Sequence, residues 1–104
     1  MDELLTLAEF RRLRDWYGLK AVTDRLPKLE EKLKVTRRNR QRIKRQVEGY
    51  QARKERVPAH VEDELKAAAW AWQRADSEYT MALETRKRLL GQHPEWDDSG
   101  GNHA

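Results

Sequence analysis

The side chains in this chain that could run acid–base or metal chemistry are three histidines, His60, His93 and His103, and eighteen carboxylates. The histidines are far apart and lack the short spacing of metal ligands, and with no cysteine there is neither a thiolate site nor a disulfide framework. No nucleophile, base and orienting group fall into a recognisable set. No glycine-rich phosphate loop is present either. The expectation is therefore a protein without catalytic residues, metal or cofactor, and not an enzyme.

The remaining chemistry is that of charge. In VTRRNRQRIKRQVEGY, residues 35–50, six of the nine positions from 37 to 45 are Arg or Lys. Residues 27–57 hold twelve basic and four acidic groups, whereas residues 58–104 hold five basic and nine acidic. A partner drawn by charge should meet the middle of the chain. Arginine outnumbers lysine in the run, which suits bidentate recognition of carboxylate or phosphate. Without aromatics among these arginines, stacking on single-stranded bases is disfavoured.

These residues have to be carried on helices. Charged residues and the apolar set each make up 38% of the 104 residues, and glycine and proline are scarce. That composition suits long helices or a coiled coil. Leu26, Leu33, Arg40, Val47 and Lys54 alternate with Leu29, Thr36, Ile43, Tyr50 and Val57 at heptad spacing. A second stripe, Val61, Leu65, Ala68, Trp72, Ala75, Tyr79, Ala82, Arg86 and Leu89, steps by four and three. The expected fold is all-α: a long antiparallel two-helix coiled-coil hairpin with a short N-terminal helix packed at its open end.

Punctuation sets the expected boundaries. Thr6 and Glu9 have capping-box spacing, and Leu5 with Phe10 has staple spacing. Gly18 is placed to end the first helix, with Leu19 folding back on Leu13. Pro27 and Pro58 suit first helical turns. Helices are expected at residues 7–17, 27–56 and 58–90, forming one domain over 1–91. Residues 92–104 read as a flexible acidic tail in which Trp96 has no assigned role. The acids that open the third helix, Glu62, Asp63 and Glu64, should lie near Arg53, Lys54 and Arg56. The run at 37–45 faces few acids.

On this frame Lys34, Arg38, Arg42 and Arg45 share the outward face of the second helix, within roughly 80° of arc at 100° per residue. Trp70 and Met81 face outward on the third helix, an arrangement suited to a binding hot spot. Thr36 and Arg40 stand in the seam, where an Arg40–Asp76 pair would fix register. One two-helix seam gives a small core, which argues for a homodimer. With no signal segment and no long apolar run, a cytoplasmic protein without a membrane partner is expected. The function expected is a small helical binding protein of the adaptor, chaperone or inhibitor type, engaging an acidic protein surface. The alternative is a nucleic-acid binder that lays the arginine stripe along phosphates.

Overall fold

The computed structural model describes residues 5–97. The fold is all-α. Two long helices, α1 (Leu7–Ala52) and α2 (Ala59–Gln92), pack against each other, and a short 3-10 helix, η1, follows at Pro94–Trp96. Helix α1 starts as its capping residues dictate. The Thr6 hydroxyl accepts the Glu9 amide hydrogen at 3.1 Å, and the Thr6 carbonyl accepts that of Phe10 at 2.9 Å. The staple spacing is not used for burial, because Leu5 and Phe10 both stay 55% exposed.

A separate N-terminal helix at residues 7–17 does not form. Helix α1 runs on through Gly18 and holds Pro27 in its interior. The reason lies in Leu19 and Val22, each 7% exposed. They carry the same three-and-four spacing back from Leu26, so burial rewards continuing the helix where local signals favour a stop. Leu19 is therefore a core residue, and Leu13 is left 44% exposed.

Contacts group the described residues into two compact units, 5–27 with 81–97 and 28–80. In the first, the core is Leu19, Val22, Ala82 and Leu89. In the second, Ile43, Val61 and Ala68 form a cluster, with Val47, Tyr50, Val57 and Leu65 packed on it. Leu29 and Ala75, the latter fully buried, extend this second core. Every residue of the expected α2 stripe is buried or half-buried. Small alanines at 68, 75 and 82 leave room for the larger side chains of α1.

The turn between α1 and α2 comes four residues earlier than the sequence suggested. The amide hydrogens of Glu55 and Lys54 reach the carbonyls of Tyr50 and Gln51 at 2.9 and 3.0 Å, a Schellman ending. Lys54 takes the left-handed position, at φ 59°. The acids opening α2 make no ion pair with Arg53, Lys54 or Arg56 among the described residues; Arg53 instead pairs with Glu55 at 3.2 Å.

Candidate partner-binding site

Helix α1 positions the basic stripe of the second unit by burying the opposite side. Ile43 is 3% exposed, and Leu33, Arg40 and Val47 are half-buried beside it. Lys34, Arg38, Arg42 and Arg45, about half a turn away around the helix, are all exposed. Two of the four are engaged locally. Lys34 sits 3.6 Å from Glu30 on its own helix, and Arg42 donates to the Asn39 side-chain oxygen at 2.8 Å. Arg37, Arg38, Lys44 and Arg45 have no ion pair among the described residues. On α2 the half-buried Glu78 is held by Lys32 and Arg74, each at 3.4 Å.

Trp70 is 62% exposed, with the Arg74 guanidinium 5.4 Å over its ring. It points away from α1, as the stripe points away from α2. The structure therefore puts Trp70 and the arginines on opposite outer faces of the second unit, not in one patch. Met81, 65% exposed, belongs to the first unit.

The polar seam residues are solved differently from the expected pair. Asp76 is exposed, and the Arg40 guanidinium lies 5.2 Å over the Trp72 ring. An Arg40–Asp76 pair is not formed, because the indole offers the cation a face inside the seam. The Trp72 Nε1–H is buried without a hydrogen-bond partner. Thr36 needs no partner helix: its hydroxyl donates to the carbonyls of its own helix at Lys32, 2.8 Å, and Leu33, 3.1 Å.

A second polar cluster, in the first unit, escaped the sequence reading. Residues 93–97 are not a free tail. They fold onto α1, where His93 Nε2 lies 2.9 Å from Asp15 Oδ2 and Arg12 lies 2.6 Å from Glu95. Trp96 stacks on His93 at 3.9 Å, meets Trp16 edge-on at 5.4 Å and carries Arg12 over its ring at 5.1 Å. The hydrogen bond from His93, aided by Arg14, holds the Asp15 carboxyl below its ordinary range against the opposing effect of burial. Glu95 is also lowered, first by its own backbone amide and then by Arg12. A signal for this cluster was present. Steps of four and then three back from Leu19 reach Asp15 and Arg12, and a step of four past Leu89 reaches His93. Residues 98–104 of the expected tail lie outside the described residues.

No helix among the described residues is long and apolar enough to cross a membrane. No known family, curated protein or solved structure matches the chain.

Proposed function

We propose that this chain is a non-enzymatic helical binding protein that engages an acidic surface on a partner protein through the stripe Lys34, Arg38, Arg42 and Arg45. The observation that carries this reading is the uncompensated charge of residues 37–45. Their outward side is exposed, and Arg37, Arg38, Lys44 and Arg45 have no ion pair among the described residues. The continuous helix fixes the spacing of these guanidinium groups, whose planar forks match carboxylates. Trp70, on the other outer face, supports a separate contact or none in the same complex. A cytoplasmic site of action belongs to the same proposal.

The rival reading lays the same arginines along phosphates, and the guanidinium geometry fits those as well. One variant with two readouts separates them. Arg38→Glu/Arg42→Glu/Arg45→Glu should lose the partner in a pull-down that survives nuclease and moderate salt. If capture instead disappears with nuclease, and the wild-type chain binds nucleic acid with affinity falling steeply as salt rises, the phosphate reading replaces this one. Capture unchanged in the triple variant removes the stripe from both.

A further inference from the structure

The first unit carries a larger apolar surface than the second, in a place the basic stripe does not explain. Leu7, Phe10, Leu13 and Tyr17 are 63%, 55%, 44% and 61% exposed. They lie on the side of α1 turned away from Asp15, Leu19 and Val22, which face α2. Leu5, at 55%, and Trp16, at 44%, continue the surface around one edge. There, with Trp96, they line an open depression of about 460 Å³. The N-terminal part of α1 is thus apolar on two sides, and only one of them is covered.

We infer that this face is the contact between two copies of the chain, paired antiparallel about a two-fold axis level with Arg14. Two arguments select a second copy as the occupant. The first is area. Inside the rim, Leu7, Phe10, Leu13 and Tyr17 leave on the order of 450 Å² exposed per chain, as large as the largest apolar patch of an ordinary monomer. Two such patches facing each other bury roughly 900 Å², the size of a small, reversible interface.

The second argument is charge. Glu9 and Lys20 stand on the same rim of the patch, within roughly 20° of arc at 100° per residue. Neither side chain has an ion pair among the described residues. Antiparallel two-fold pairing matches a rim with itself, so each Glu9 meets the Lys20 of the other copy, twice per dimer. Phe10 then packs beside the other copy's Tyr17. On the opposite rim Arg14 is already held by Asp15 at 3.3 Å, which limits repulsion between the two Arg14 side chains.

The test is the mass of the full chain by sedimentation equilibrium from 1 to about 200 μM, a range suited to interfaces of this size. A dimer is expected, and Phe10→Asp should render it monomeric with the helical circular dichroism unchanged. Glu9→Lys and Lys20→Glu should each weaken the dimer, by about threefold to thirtyfold at low salt. The double exchange, Glu9→Lys/Lys20→Glu, should return to within about threefold of the parent because the pairs re-form with reversed sign. A chain monomeric throughout overturns the inference and leaves the patch to a different partner. So does a dimer indifferent to Phe10→Asp, or a double exchange no tighter than either single variant.

Discussion

Asp15 on α1 and His93, the residue after α2, hold each other across 2.9 Å, each with only about one-sixth of its side chain exposed. An ionised carboxylate can only accept, so His93 Nε2 carries the proton and donates it to Asp15 Oδ2. The backbone supports the arrangement. The His93 amide hydrogen still reaches the Leu89 carbonyl at 2.9 Å, and the Trp96 amide hydrogen closes back on the His93 carbonyl at 3.0 Å. This contact makes residues 93–97 a clasp on α1. Trp96 is its apolar part, and Arg12–Glu95 is its outer ion pair.

Acid should open the clasp before it melts the helices. Asp15 and Glu95 are both lowered from ordinary values of 3.8 and 4.5. A carboxylate lowered in the folded state contributes stability that is full above its unfolded value. That contribution is lost as pH falls through the folded one. The clasp is therefore intact at neutral pH, and it should release below about pH 4 as Asp15 and Glu95 take up protons. The Trp96 indole resonance, followed by NMR, should move in that window while helical circular dichroism holds. Asp15→Ala should shift the same resonance at neutral pH. A Trp96 signal that changes only together with global unfolding would show that the clasp is no independent unit.

Replacing Lys54 by glycine should stabilise the turn. Lys54 occupies the left-handed position at φ 59°, where a side chain costs about 1–2 kcal/mol that glycine does not. Glycine gives back about half of this through the greater freedom of its unfolded state. The net expectation for Lys54→Gly is a gain of about 1 kcal/mol, read as a higher urea midpoint with an unchanged slope. A midpoint equal to or below that of the parent would mean that the Lys54 side chain has a favourable role at the turn that outweighs the strain.

The periodic features of the sequence translated directly into packing. The α2 stripe at 61–89 and the α1 heptads from Leu26 to Tyr50 are the buried faces, because alternation of three and four leaves one apolar side, whereas Lys54 falls past the end of α1 and is exposed. The errors came from local stop signals. Gly18 and Pro27 each suggest a boundary when read over a few residues. The decision belongs to Leu19 and Val22, whose burial depends on α2 residues far along the chain. The same limit hid the Asp15–His93 contact, made between groups 78 residues apart that no local motif joins. At Arg40 the charge was legible but not its partner, since an indole and a carboxylate could both satisfy a guanidinium in the seam. For the candidate site, exposure of Lys34, Arg38, Arg42 and Arg45 followed from the heptad frame. That frame also set Trp70 outward on its own helix, and only the packed pair of helices showed the two to lie on opposite faces.

Pro27 is the position where substitution should change stability most without touching the core. Its ring nitrogen has no hydrogen, so the Thr23 carbonyl lacks its donor four residues on, and the ring crowds that same carbonyl. Within a helix interior this costs about 3 kcal/mol relative to alanine. Proline recovers up to about 1 kcal/mol by restricting the unfolded chain, so Pro27→Ala should stabilise by about 2 kcal/mol. Both Pro27 and Thr23 are exposed, and the substitution leaves no cavity. The check is chemical denaturation alongside amide hydrogen exchange. The amide hydrogen that the substitution introduces should be protected if it closes the missing bond to Thr23. An unprotected amide with unchanged stability would mean that α1 stays open at this point whichever residue stands there, and that its continuity depends only on Val22 and Leu29 on either side.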